Sequence, residues 1–316
     1  MMNRTALREN IRDFLEINIS EDTVETEVIE VLREKTFERR LIRYAGSEGD
    51  EIRAYLFIPK QTPVTGSVLV HHQHNGERHL GKSEVAGIAG DPFQAFCPAL
   101  AEKGIITLAP DSICFEDRRT NRRGIEPDSE PDNDWLQHYN EMAYRLLKGT
   151  TLMKKVLDDS AIGINVLLQQ AGSQTGKIGL LGHSYGGNTA LFHAPLDERV
   201  GYTCSSGAVC SYRTKIKHQT GIELAEVIPG FLENFEIEDL LKTVCPRKFL
   251  IVSATEDIYA QDAKEIYNSV KPVFQESNAA DALVHREYEG GHPLDRERFD
   301  FIVNWFSQEF KKAEPS

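Results

Sequence analysis

Short apolar runs and stretches with helical spacing alternate along the chain, and this pattern predicts a sheet covered by helices. From about residue 66 onward a helical stretch separates each apolar run from the next, which is typical of parallel strands joined by crossovers. The eight predicted strands are FERRLIRY (37–44), EIRAYLFIPK (51–60), SVLVHHQ (67–73), IITLAPD (105–111), KIGLLGH (177–183), YTCSSGAV (202–209), KFLIVSAT (248–255) and ALVHREYE (282–289). The pattern therefore predicts an α/β fold with a mostly parallel eight-stranded sheet and helices on both faces.

The first two predicted strands differ from the others because only the short turn AGSEGD separates them. A turn rich in Gly and Asp between two apolar runs is typical of a hairpin, so we expect these two strands to be antiparallel.

Helical spacing is clearest at the two ends of the chain and over residues 135–171. Residues 1–36 are interpreted as an N-terminal helical segment, and the last helix closes the chain. The apolar positions that define these helices are Leu7, Ile11, Phe14 and Leu15, then Leu152, Val156, Val166 and Leu167, and finally Phe299, Ile302, Val303, Phe306 and Phe310. These faces should pack against the sheet.

Two segments, 112–150 and 211–245, do not follow the alternation of strand and helix. Each follows the carboxyl end of a predicted strand, where open α/β sheets place their ligands. We therefore expect both segments to be lids or pocket walls, inserted into a single domain that spans residues 1–316.

The net charge of the chain limits the kinds of binding partner that are expected. The chain carries 49 acidic and 36 basic residues, with a net charge of −13. Nucleic acids and anionic membranes attract basic surfaces, so neither is expected as the main partner. A small molecule is the expected partner. Whether two copies of the chain form a homodimer is left open.

Targeting signals and cysteine usage predict a cytoplasmic protein. No run approaches the ~18–20 apolar residues that span a bilayer, and the N-terminus lacks the apolar core of a secretion signal. The cysteines are Cys97, Cys114, Cys204, Cys210 and Cys245. They are odd in number and form no CxxC pair, which favours reduced thiols over a disulfide framework.

The stretch GLLGHSYGGN contains the first candidate for chemistry. Its Gly182-x-Ser184-x-Gly186 motif lies between a predicted strand and a predicted helix, the context in which a serine is exposed as a nucleophile. Glycines are needed because strand and helix approach closely around such a turn. The spacing of a dinucleotide-binding loop and the Lys-Ser/Thr ending of a phosphate-binding loop are both absent.

A serine hydroxyl needs a base that a third group orients. With this turn, the acid and then the histidine are expected on loops after later strands. Asp257 follows KFLIVSAT, with its neighbour Glu256 as an alternative, and His292 follows ALVHREYE and a Gly-Gly pair. Asp262 and Asp281 are weaker acids by position. His183 and His193 compete poorly as the base.

A tetrahedral intermediate also needs two N–H donors for its oxyanion. The backbone N–H of Tyr185, directly after the serine, is one candidate. The loop after SVLVHH supplies the other, for which we favour the His74 N–H, with Gln73 and Asn75 as alternatives.

The run from His71 to His74, with His79 nearby, could indicate a metal site. His71 and His72 are neighbours in a strand and point to opposite faces, so they cannot ligate one ion together. No carboxylate or cysteine cluster completes a zinc set around His72 and His74. We therefore expect neither a metal nor any other cofactor.

These motifs resemble a known family. The strand order, GHSYGG, Asp257 and His292 are similar to α/β-hydrolases across nearly the whole chain. HHQHNGERHLGKSEVAG, APDSICFEDRR and the segment from VIPGF to CPRKFLIVSATED resemble dienelactone-hydrolase-like and acetyl-xylan-esterase-like proteins. The resemblance implies a serine hydrolase that cleaves a small ester through an acyl-enzyme on Ser184. Dienelactone hydrolases themselves use a cysteine nucleophile, where this chain has Ser184.

Substrate contacts are less defined. Arg118 and Arg119, with Arg122 and Arg123, could bind an anionic group, or they could pair with carboxylates of their own loop. Trp135 and Tyr139, with His138 and Tyr144, could line an apolar pocket or pack as an ordinary helix.

Other activities remain open. The same triad could cleave a peptide, thioester, lactone or C–C bond. A catalytically silent hydrolase fold that only binds a ligand is the alternative from a different class.

Overall fold

A mixed sheet forms the centre of the computed structural model, which describes residues 3–61, 63–170, 172–174 and 176–312. The nine strands in the described part are Glu27–Arg33 (β1), Phe37–Ala45 (β2), Glu51–Pro59 (β3), Gly66–His71 (β4), Ile105–Pro110 (β5), Ile178–His183 (β6), Val200–Ser206 (β7), Lys248–Ala254 (β8) and Leu283–Tyr288 (β9). Their order in the sheet is β1-β2-β3-β5-β4-β6-β7-β8-β9. Strands β1, β2, β3 and β5 pair antiparallel, and every pair from β5 to β9 is parallel.

The α/β class, the mostly parallel sheet and the β2–β3 hairpin are confirmed, but the count of eight strands is wrong. The missed strand, β1, lies in the segment 1–36, which was predicted to be helical. Its seven residues are all exposed, so burial imposes no period of two on its sequence. Pairing with β2, from Glu27 opposite Arg43 to Arg33 opposite Glu38, determines its structure instead.

Helices cover both faces of the sheet, as predicted. They are Arg4–Leu15 (α1), Lys82–Val85 (α2), Phe96–Ala101 (α3), Pro131–Leu147 (α4), Leu152–Leu168 (α5), Tyr185–His193 (α6), Tyr212–His218 (α7), Phe231–Asn234 (α8), Ile237–Val244 (α9), Ala263–Glu276 (α10) and Arg296–Lys312 (α11). Side chains of α1, α5, α6, α9 and α10 share one apolar core, while α3 and α11 contribute to a second. Leu69 belongs to the first core and its neighbours Val68 and Val70 to the second, because successive side chains of a strand point to opposite faces.

The segment 211–245 has two parts with different surroundings. Its last helix, α9, buries Leu240 and Leu241 completely and packs against α1 and α10, so it belongs to a helical layer over the sheet. Residues between α7 and α8 instead lie beyond the carboxyl ends of the strands, where they border a cavity.

None of the helices in the described ranges has the length and apolar character that a membrane crossing requires.

Candidate active site

Ser184 lies at the sharp turn between β6 and α6. Its backbone has φ 55° and ψ −122°, a conformation that costs energy for a residue with a side chain. A Cβ on Gly182 would lie 2.1 Å from the carbonyl carbon of Gly186, and one on Gly186 would lie 2.3 Å from the His71 oxygen. Only glycine fits at either position, so the two glycines permit the turn that exposes the serine.

Three side chains from three loops meet at this turn. The Ser184 hydroxyl lies 2.8 Å from Nε2 of His292, which follows β9. The Nδ1–H of His292 donates to Asp257, which follows β8, at 2.9 Å from Oδ1 and 3.0 Å from Oδ2. This contact leaves Nε2 as the ring nitrogen that can accept the serine proton.

The competing acids lie elsewhere. Glu256 is exposed, and Asp262 accepts hydrogen bonds from Ser211 and Thr214 at the start of α7. Asp281 belongs to a short 3₁₀ turn before β9. Asp257 is the one buried carboxylate among these candidates that contacts His292.

A second histidine and a glycine pack around His292. The ring of His183 lies 4.7 Å from the ring of His292, and its Nδ1 lies 3.0 Å from the Ser206 hydroxyl. Burial, together with the nearby His292, lowers the pKa of His183 well below its usual value, so this ring stays neutral. A Cβ on Gly207 would lie 2.8 Å from the His183 ring and 3.1 Å from both Asp257 and His292. Gly207 was missed because the predicted strand 202–209 included it, whereas the observed strand β7 ends at Ser206.

The two candidate oxyanion donors border the same cavity as Ser184. Tyr185 is the first residue of α6, and the first N–H groups of a helix have no partner within it. His74 begins a tight turn in which its carbonyl accepts the N–H of Glu77 at 2.6 Å. Asn75 also borders the cavity, whereas the Gln73 side chain donates to Glu84 at 3.1 Å.

The cavity beside Ser184 has a volume of about 250 Å³. Its far wall, opposite the strand ends, is formed by side chains that the sequence reasoning did not identify. They are Lys215, Ile222, Glu223 and Glu226, all from the segment 211–245, and Asn188 and Tyr259 complete the rim. We call the stretch 215–226 the pocket wall.

One ion pair and one contact between a carboxylate and a histidine dominate the pocket wall. Nζ of Lys215 lies 2.7 Å from Glu226, and both side chains are buried. Nε2 of His74 lies 2.7 Å from Glu223. Burial raises the pKa of Glu223, but the contact with His74 outweighs it and brings the pKa to about 2. Ile222 is the one aliphatic side chain among the described residues that line the cavity, and most of the other lining side chains carry a polar group.

The predicted pocket residues Arg118, Arg119, Trp135 and Tyr139 do not line this cavity. Arg118 is buried and pairs with Asp159 at 2.8 Å and with Asp50, while Arg119 pairs with Asp134 at 2.7 Å. A buried guanidinium needs carboxylate partners, and both of these groups have them. Trp135 and Tyr139 stack on each other, with ring centres 5.1 Å apart, on the exposed face of α4. The pocket role predicted for the four residues is therefore wrong.

Three carboxylates, Asp111, Glu116 and Asp117, come together in the fold in a way that could suggest a metal site. Nζ of the buried Lys82 contacts all three, at 2.7 Å from Asp111 and from Asp117. The ammonium group thus lies among the three carboxylates and offsets part of their negative charge.

The histidine run separates in the fold. His71 contacts the Ser160 hydroxyl at 3.1 Å, His72 accepts the Ser112 N–H at 3.1 Å, and His74 contacts Glu223. These three rings therefore converge on no common centre.

The sheet order and the serine turn define an α/β-hydrolase. Residues 52–219 match the model of the dienelactone hydrolase family, and the chain belongs to that family. It is therefore an enzyme, a serine hydrolase of the carboxylic ester class, as the sequence resemblance implied.

Known proteins with similar sequence or structure agree with this class. The chain is 25% identical over 295 residues to YtaP of Bacillus subtilis (strain 168), a protein that carries the name of a hydrolase, covering 90% of this chain and 92% of that protein. A Bacteroides fragilis NCTC 9343 structure named as an acetyl xylan esterase matches with a TM-score of 0.76 and 13% identity, over 97% of this chain and 87% of that one. A glucuronoyl esterase from Solibacter usitatus matches with a TM-score of 0.67 and 12% identity, over 96% and 91% of the two chains. At these identities the two structures support the fold.

Proposed function

We propose that the enzyme hydrolyses small polar esters through an acyl-enzyme on Ser184. The observation that carries the proposal is the 2.8 Å contact between Ser184 Oγ and Nε2 of His292. His292 takes the hydroxyl proton as Oγ bonds to the ester carbonyl carbon, and it gives that proton to the departing alkoxide when the C–O bond breaks. It then takes a proton from a water whose oxygen bonds to the acyl carbon, and it returns that proton to Ser184 Oγ when the acyl C–Oγ bond breaks and the acid leaves.

Asp257 holds His292 in the required tautomer and stabilises the imidazolium that forms in each half of the reaction. Its second role is supported by burial, because its side chain is only 1% exposed and its charge acts in a site with little water. The neutral His183 beside the imidazolium adds no opposing positive charge.

The oxyanion of each tetrahedral intermediate is assigned to the backbone N–H groups of Tyr185 and His74. Tyr185 supports this role because α6 begins there, so the partial positive charge of the helix N-terminus faces the developing negative charge. His74 borders the same cavity from the loop after β4.

The cavity supports an ester with hydroxyl or other polar groups. Asn188 and Tyr259 offer hydrogen-bond partners, whereas Ile222 is the one aliphatic side chain among the described residues that line the cavity. Structures with the same fold are named as acetyl xylan and glucuronoyl esterases, which makes sugar esters the first substrates to test. A panel of sugar acetates, aryl esters, thioesters, lactones and peptides would rank the activities that share this triad.

A fluorophosphonate probe tests the nucleophile. The wild type should be labelled at Ser184, and Ser184→Ala should lose both labelling and hydrolysis of a short-chain aryl ester. Ser269→Ala, which changes a serine on α10 whose hydroxyl bonds its own helix, is the matched control and should behave as wild type. Hydrolysis that persists in Ser184→Ala would exclude the proposed mechanism.

We further propose that residues 1–316 form one domain and that the enzyme works in the cytoplasm. Ile11 and Leu15 of α1 lie in the same apolar core as the sheet, which supports one folding unit. All five cysteines are free and buried, which supports a reducing compartment. The homodimer is a prediction, which a measurement of molar mass by light scattering on the purified protein would test.

A further inference from the structure

One side chain of the pocket wall contacts the loop that carries a proposed oxyanion donor. Oε2 of Glu223 lies 2.7 Å from Nε2 of His74, which precedes the segment 211–245 by 137 residues along the chain. The Glu223 side chain is 9% exposed, and its other oxygen accepts the backbone N–H of Leu224 at 2.9 Å. Both carboxylate oxygens are therefore in use, and the group has one defined orientation.

The His74 ring is held at both nitrogens. The backbone N–H of Gly76 donates to Nδ1 at 2.9 Å, which places the ring hydrogen on Nε2, where it donates to Glu223. The backbone of this turn has positive φ at Asn75 (38°) and at Gly76 (74°), a conformation that needs support from its surroundings. The ring contact to Glu223 links this turn to the pocket wall.

We propose that Glu223 is a positioning residue, which holds the loop of His74 so that its backbone N–H points at the oxyanion. This role rests on the proposed function, because it assumes an oxyanion beside Ser184. Glu223 acts through His74 and need not touch the substrate.

Charges behind the contact favour a carboxylate at this position. Arg78 is buried, donates to Nδ1 of His138 at 3.0 Å and forms no ion pair within the described part of the chain. The charge of Arg78 helps to hold the pKa of Glu223 low, after burial and the contact with His74. Glu223 is thus ionised in the working enzyme and attracts both the loop and the arginine beneath it.

Kinetics of two variants test the role. Glu223→Ala should lower kcat for a small aryl ester by about 10- to 100-fold while KM stays within about twofold, since a misplaced donor weakens the transition state more than the bound ester. Glu223→Gln keeps one acceptor oxygen, which can serve His74 or Leu224 but not both, so its kcat should fall between those of Glu223→Ala and wild type. Glu233→Ala removes an exposed carboxylate of the same segment and should match wild type.

His74→Ala removes the same contact from the side of the loop. It replaces Glu223→Ala as the test if Glu223→Ala does not fold. It keeps the backbone N–H but loses the ring, so its kcat should fall by a similar factor. The double variant should be no slower than the slower single variant, because both changes remove one interaction.

Three results would overturn the inference: a raised KM with unchanged kcat, multiplicative losses in the double variant, or unchanged kinetics in both single variants.

Failure of the proposed function has a different signature. Saturating fluorophosphonate counts the sites with a working Ser184, and kcat is expressed per labelled site. An unlabelled wild type contradicts the proposed function, whereas a labelled Glu223→Ala with normal kcat per site contradicts only the role of Glu223.

Discussion

The two sides of the cavity are held in place by different forces. On one side the ends of β6, β8 and β9 carry Ser184, Asp257 and His292, and backbone sterics and strand pairing determine where these loops lie. On the other side the pocket wall is held by side-chain contacts of buried carboxylates, the ion pair of Lys215 with Glu226 and the hydrogen bond from His74 to Glu223. The first side depends on the shape of the main chain, the second on polar contacts between side chains.

The two sides of the cavity should therefore tolerate different substitutions. A strand end keeps its place when a surface side chain changes, since ladder hydrogen bonds and packed apolar residues hold it. A buried ion pair fails when either partner is lost, because the remaining charge is left without compensation.

Asp257→Asn should lower kcat by about 10⁴-fold with little loss of stability. The amide can donate to Nδ1, so the ring hydrogen moves to Nε2, where it blocks acceptance of the serine proton. Single-turnover and steady-state kinetics with an aryl ester measure the effect. Glu256→Gln, at the exposed neighbouring position, is the control, and a larger loss there would move the acid to Glu256.

Gly186→Ala should destabilise the fold by about 4 kcal/mol or more, because its Cβ would overlap the backbone oxygens of His71 and His72. Denaturant unfolding followed by circular dichroism measures the loss. Gly221→Ala is the matched control, since a Cβ there meets no atom within 4 Å. Wild-type stability in Gly186→Ala would show that the turn can relax, which would weaken the contrast between the two sides.

Lys215→Met should destabilise the protein by about 3 kcal/mol, because Glu226 would stay buried without its partner. Burial already raises the pKa of Glu226, so the loss should shrink as the pH falls and the lone carboxyl takes up a proton. Thermal unfolding at several pH values tests both parts. Lys217→Met, exposed on the same helix, should change nothing, and a pH-independent loss would contradict the role of the ion pair.

Trp135→Ala should change stability by no more than about 0.5 kcal/mol and leave kcat/KM within twofold, because the ring is exposed and outside the cavity. A large rise in KM would instead restore the pocket role that the sequence suggested. Chemical denaturation and ester kinetics on the same preparation measure both quantities.

Much of the fold could be predicted because the buried strands leave a clear pattern. Val68, Leu69 and Val70 form an apolar run since β4 is covered on both faces, and the same reasoning identified seven other strands. β1 escaped because it is exposed on both faces. Its structure depends on pairing with β2, which a local pattern does not record.

The candidate catalytic centre shows the same division. Gly182, Ser184 and Gly186 form a local motif whose spacing reflects the sterics of one turn, and Asp257 and His292 follow strands that the apolar pattern identifies. The arginines were misplaced because charge alone does not tell whether a guanidinium faces a ligand or a partner. Arg118 pairs with Asp50 and Asp159, neither of which lies in its own loop.

The sequence by itself determined the class of fold, the serine turn and the order of its proposed partners, because each follows from spacing along a few neighbouring residues. Only the tertiary structure decided what lines the cavity. Lys215, Glu223 and Glu226 are ordinary charged residues in a segment without clear periodicity, and they face Ser184 because the chain folds back over the strand ends. Long-range side-chain contacts, such as that of Glu223 with His74, depend on distances in space that no local pattern contains.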